Sequence, residues 1–134
     1  MLVAAAVVAA GCGGGSHATG PPASLALPGA PPVPTSEITS AAAQMCGIVA
    51  QSHQSPATVL QPFYAGPHNA LHLLAALAAP KHRPEADQLL SVMLTYEAAI
   101  AAQPPPATTG ADADALLQAV GGAMTALGLA APAC

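Results

Sequence analysis

Apolar residues recur along this chain at three- and four-residue spacing, the period of a helix that buries one face. Ile38, Ala42, Met45 and Val49 make the first such stripe. Thr35 or Ser36 is placed to cap that helix, and Glu37 falls in its first turn, where the backbone dipole favours an anion. Pro56 disfavours helical geometry at Ser55, so the helix is predicted to end by Gln54. Ser55-Pro56 then opens a short helix over Ala57–Phe63, limited by Pro62. Gly66-Pro67 restarts the chain. Leu71, Leu74 and Ala78 share the next face, and Pro80 stops it. Pro84 opens the longest predicted helix, over 84–102, with Ala86, Leu89, Leu90, Met93, Tyr96, Glu97 and Ile100 in helical period. Gln103 and Pro104-Pro105-Pro106 end it. A last helix starts near Thr109 or Gly110, has Asp112 and Asp114 near its N-terminus, and carries Leu116, Leu117, Val120, Met124 and Leu127. Gly121-Gly122 costs it about 1 kcal/mol per glycine relative to alanine, which marks a bend or a close approach. Nothing alternates with period two for long. The predicted fold class is all-α: a small antiparallel bundle of four to five helices over residues 36–134.

The helical pattern fails before Thr35. Residues 13–35 are rich in glycine and proline, with no helical or strand period, and read as a spacer with a reach of about 70 Å. Ahead of them lies the apolar run Leu2–Ala10, followed by Gly11, Cys12 and Gly13-Gly14-Gly15. This stretch resembles the end of a bacterial lipoprotein signal peptide, with Ala9-Ala10-Gly11-Cys12 as the lipobox. An apolar run enters the translocon, and small residues admit the peptidase. The resemblance implies that residues 1–11 are removed and that Cys12 carries thioether-linked lipid. Residues 12–35 then tether the domain to the outer face of the cell membrane. The sequence departs from the pattern in three ways. Ala9 stands where leucine is commonest, no Lys or Arg precedes Cys12, and the run is short. The expectation is therefore a leader whose basic start lies upstream of Met1. The abundance of Ala, Pro and Gly, with a single lysine, resembles exported actinobacterial proteins.

The chain has three cysteines. With Cys12 assigned to lipid by the resemblance, Cys46 and Cys134 remain as one pair. Their disulfide would close a loop over nearly the whole helical region; two buried thiols are the alternative. Aromatic residues are only 2% of the chain, namely Phe63, Tyr64 and Tyr96, so a covalent closure has much to contribute. Charged residues are 6%, against about 25% in an average globular protein, and the net charge is −4. That balance argues against nucleic acid as a partner, because phosphate neutralisation needs a basic footprint. Mean hydropathy is +0.51, yet His72, Pro80, Glu97 and Pro104 cut every apolar run short of a membrane span, so none is predicted in the mature chain.

Candidate chemistry is thin. His68 and His72 stand at i and i+4 on one helical face, a spacing at which two neutral imidazoles can share a metal. No zincin-type glutamate follows His68 and the sequence offers no third ligand. The expectation is thus no metal, zinc and haem included, with one surface or capping histidine and one partly buried. Glu97 is read as the solvent edge of its helix. No Gly-x-Ser-x-Gly, phosphate loop or dinucleotide fingerprint is present. The functional expectation is a non-enzymatic, lipid-anchored envelope protein that binds a protein or an apolar ligand. The alternative is a carrier of lipid or haem between helices, with Phe63, Tyr64, His68 and His72 as candidate ligand-binding residues.

Overall fold

The computed structural model describes residues 20–134; Cys12 and the lipobox lie outside them. The described chain is a helical bundle closed by one disulfide. Helix α1 spans Thr35–Gln54, a single 3₁₀ turn follows at Pro56–Thr58, and α2 spans Leu60–Ala65. Helices α3 (His68–Ala78), α4 (Arg83–Ala101) and α5 (Thr109–Ala126) complete the bundle. The punctuation acts where the pattern placed it at Pro56, Pro67, Pro80, Pro84 and Pro104. Pro62 is an exception. It lies in the first turn of α2, where its missing N–H has no helical partner to lose, so the helix runs on to Ala65.

The core is the sum of the predicted stripes. Ile38, Ala42 and Met45 of α1 meet Leu71 and Leu74 of α3, Leu89, Met93 and Tyr96 of α4, and Leu116, Val120 and Met124 of α5. Alanines at 42, 75, 113, 119 and 123 join this cluster and let the helix backbones approach closely. Helix α5 packs chiefly on α4 and α1, and α3 fills the remaining side. Gly110, at the start of α5, lies against the His53 ring at the end of α1. A Cβ there would fall 2.5 Å from His53 Nδ1, so only glycine fits without displacing the ring. Gly121 and Gly122 do not break α5. Ala131 and Pro132 of the C-terminal tail lie over the helix at Gly121, where a Cβ would meet them in ordinary van der Waals contact.

The segment read as a spacer is not wholly one. Ser24–Leu25 (β1) pairs antiparallel with Val33–Pro34 (β2), in the register Ser24 to Pro34 and Leu25 to Val33. Leu25, Leu27 and Val33 are half-buried against the helical core. Two rungs are too few to show a period in sequence, and packing onto the bundle provides what the strands lack. The Thr35 hydroxyl and backbone N–H both donate to the Ala23 carbonyl, each at 3.1 Å. Thr35 is therefore tied to this ladder and does not cap α1. Neither Thr35 nor Ser36 is the cap, since the position belongs to Pro34 and no side chain bonds there. Because Ser24 is already part of the domain, the span from Cys12 to it is bounded at about 40 Å, not 70 Å.

At the other end, α5 stops in a motif the sequence reading passed over. Gly128 has φ +76°, its N–H donates to Thr125 O, and the Leu129 N–H donates to Met124 O. This paired bonding is a Schellman cap, and glycine suits the left-handed residue within it. Leu129 turns inward to join the core. The chain thus reverses and returns to α1, where Cys134 bonds Cys46 across a sequence separation of 88 with Cα atoms 5.5 Å apart. Closing a loop of that length removes about 4–5 kcal/mol of unfolded-state entropy, an upper figure. Urea denaturation of Cys134→Ser, or of the reduced chain, is accordingly expected to show a loss of about 2–5 kcal/mol with the helical circular dichroism retained in buffer.

Candidate binding site at the junction of α2, α3 and α4

The three aromatic side chains and two of the histidines converge on one end of α3. Phe63 is fully buried. Its ring meets Tyr96 edge-on at 5.1 Å, Tyr64 at 5.5 Å and His68 at 5.5 Å. Such perpendicular contacts place a positive ring edge on a negative face. The turn at Gly66-Pro67 brings this about, folding α3 back so that its first residue, His68, lies on the last turn of α2. Tyr64 leans over His68 at 4.6 Å, and His72 stands edge-on to His68 at 4.7 Å, one helical turn on. His68 is therefore gripped by three rings.

Glu97 completes the cluster. It is not at the solvent edge of α4. Its side chain is only 17% exposed and faces α3. Glu97 Oε1 lies 3.0 Å from His68 Nε2 and 4.0 Å from His72 Nε2. One donor atom from each of the three residues falls within 4.8 Å of the others. His68 is likewise 17% exposed, whereas His72 is 47% exposed. The place of Glu97 beside the two histidines is not visible in the sequence, because Glu97 is distant along the chain and only the crossing of α3 and α4 aligns them. The available signal was its position between Tyr96 and Ile100 on an otherwise apolar stripe.

The groups around the cluster are firmly held. The Tyr96 phenol is buried and bonded to Ser52 of α1 at 2.8 Å. Ser52 Oγ donates its own proton to the Ile48 carbonyl at 2.8 Å, so the tyrosine hydroxyl is the donor in the pair. Burial raises the Tyr96 pKa above its ordinary value. Tyr64 is also raised, by desolvation first and then by the negative charge of Glu97.

Other surface features carry less chemistry. His53 Nε2 and Asp114 pair at 3.0 Å with both side chains more than half exposed, where such pairs contribute about 0–1 kcal/mol. A groove of about 740 Å³ runs between α4, α5 and the C-terminal tail, bordered by Glu85, Gln118, Gly121 and Pro132. It lies away from Phe63 and Tyr64, neither of which lines it. No described helix is long and apolar enough to cross a membrane.

No protein-family model, curated protein or solved structure matches this chain. The site must speak through its own geometry. Of the four residues singled out from sequence, Phe63 belongs to the core, while Tyr64, His68 and His72 line one partly open face with Glu97.

The Ser52–Tyr96 pair yields an asymmetric expectation. Ser52→Ala leaves a buried phenol donor unpaired and is expected to cost about 1–3 kcal/mol. Tyr96→Phe leaves Ser52 still donating to Ile48, and its cost is expected to be smaller. Thermal denaturation of the two variants measures the difference. The pH dependence has a definite sign. A phenol whose pKa is raised by folding adds stability that is complete below its unfolded value of 10.0 and is lost as pH climbs through the folded value. Tyr96→Phe is expected to flatten that alkaline decline in a denaturation series taken upward from neutral pH.

Proposed function

We propose that this chain is a lipid-anchored protein of the bacterial cell envelope whose helical domain is a non-enzymatic binding module. The observation that carries the reading is the Cys46–Cys134 disulfide. It supports an oxidising, exported setting. It also engages two of the three cysteines with each other, leaving Cys12 in its lipobox context for acylation. The short span between Cys12 and Ser24 then keeps the domain close to the membrane surface, within about 40 Å.

The binding role draws on the contrast between core and surface. Phe63, the largest apolar side chain between α2 and α3, is consumed by ring packing and lines none of the clefts described above. This favours surface recognition over transport of a lipid or haem in an interior pocket. Among the described residues, Leu60, Tyr64 and Leu94 are the large apolar side chains left exposed, and Leu60 and Tyr64 share one face of α2.

Two measurements test the reading. Full-length protein expressed in a bacterium with lipoprotein processing is expected to incorporate radiolabelled palmitate and to begin at Cys12 by mass spectrometry. Absence of label, or label that survives Cys12→Ala, overturns the anchor. Native mass spectrometry of protein from its own envelope is expected to show no bound lipid or haem; a stoichiometric apolar ligand would replace the module with a carrier.

A further inference from the structure

We propose that His68, His72 and Glu97 form a three-ligand site for a divalent transition-metal ion of the zinc type, with its fourth position open to solvent. The assignment rests on how the three donor atoms are presented and stands whether or not Cys12 carries lipid.

His68 Nδ1 lies 3.2 Å from Asn69 Oδ1. The amide oxygen only accepts, so this contact is a hydrogen bond in the tautomer that carries its proton on Nδ1. In the neutral ring Nε2 is then a bare lone pair, and it stands 3.0 Å from Glu97 Oε1, another acceptor. Two acceptors at that distance repel unless a cation lies between them. A proton on Nε2 would make the contact an ion pair, yet Glu97 Oε1 is buried and has no hydrogen-bond partner despite the close approach. A buried acceptor left without a partner is destabilising.

A metal ion fits these facts. Metal ligands converge on a point off the line that joins them, so their axes need not face one another. Tetrahedral bonds of about 2.0–2.2 Å set neighbouring ligand atoms roughly 3.3 Å apart. The two observed separations from Glu97 Oε1, 3.0 and 4.0 Å, bracket that value. His72, about half exposed and on the outer side of the cluster, has freedom to close the difference and leaves room for water as the fourth ligand. The Nδ1 bond to Asn69 is the outer contact that fixes a ligating imidazole in its Nε2-binding tautomer. The rings of Phe63, Tyr64 and His72 hold His68 in place, so the more buried half of the site is formed in advance. Two nitrogens and one carboxylate favour a borderline ion over Mg²⁺ or Ca²⁺, which take oxygen ligands.

Titration of the full-length protein with Zn²⁺, followed by calorimetry and by histidine-ring NMR, tests the proposal. Saturable binding of a single ion per chain is expected, with the ring signals of His68 and His72 shifting and those of His53 and His82 unmoved. His72→Ala and Glu97→Gln are each expected to weaken binding by more than about 10–100-fold, since even outer-contact changes reach that range. His53→Ala is expected to bind as the wild type does. His72 is half exposed, so its variant should fold even where Glu97→Gln does not, and circular dichroism checks each. Absence of saturable Zn²⁺ binding overturns the site. So does affinity unchanged in folded His72→Ala, or a response confined to His17, His53 or His82.

Discussion

The bond between Cys46 and Cys134 is the constraint under which the other features of this domain make sense. A chain with one phenylalanine, two tyrosines and many alanines buries little area per residue. Its hydrophobic term is correspondingly small against the entropy of ordering about a hundred residues. Cross-linking α1 to the chain's last residue lowers that entropy directly. The devices that bring the cysteines together are local and independent of the bond. Gly128 takes the left-handed turn, and Leu129 anchors it in the core.

Within that frame the aromatic residues do double service. Phe63 and Tyr96 are at once the largest buried side chains and the wall behind the His68–His72–Glu97 cluster. Tyr96 is fixed by Ser52 on α1, Phe63 by Tyr96, and His68 by Phe63. A contiguous line of packed groups thus runs from the first helix to the polar cluster. This explains how a small, aromatic-poor bundle holds a histidine and a glutamate in a defined relation where they are mostly screened from water. The crossing of α3 and α4 brings the Glu97 carboxylate to 3.0 Å from one imidazole and 4.0 Å from the other.

The polar cluster also shows where periodicity stops being informative. The pair His68 and His72 was legible, because i and i+4 share a helix face in any helix. Glu97 was visible as an oddity among apolar neighbours, yet its partner was not. Its meeting with His68 depends on the crossing of α3 and α4, which connects residues 29 positions apart. The two-rung ladder of residues 24–34 escaped for a related reason. Its strands are too short for alternation to register, and burial of Leu25, Leu27 and Val33 against a bundle formed elsewhere holds them.

By itself the sequence determined the helical class, the positions of the breaks and most of the buried stripe. These follow from 3.6-residue periodicity and from proline's missing N–H, which act locally. Pro62 marks the limit of that logic, since the same residue that ends a helix in its interior is tolerated in its first turn. The Cys46–Cys134 pairing could be inferred from the cysteine count, but tertiary structure alone decided that Gly110 fits against His53 and that Glu97 faces two histidines. Each of these is a distance between elements. Such distances are set by how the side chains of all five helices fill one shared volume, which no stretch of the chain specifies alone.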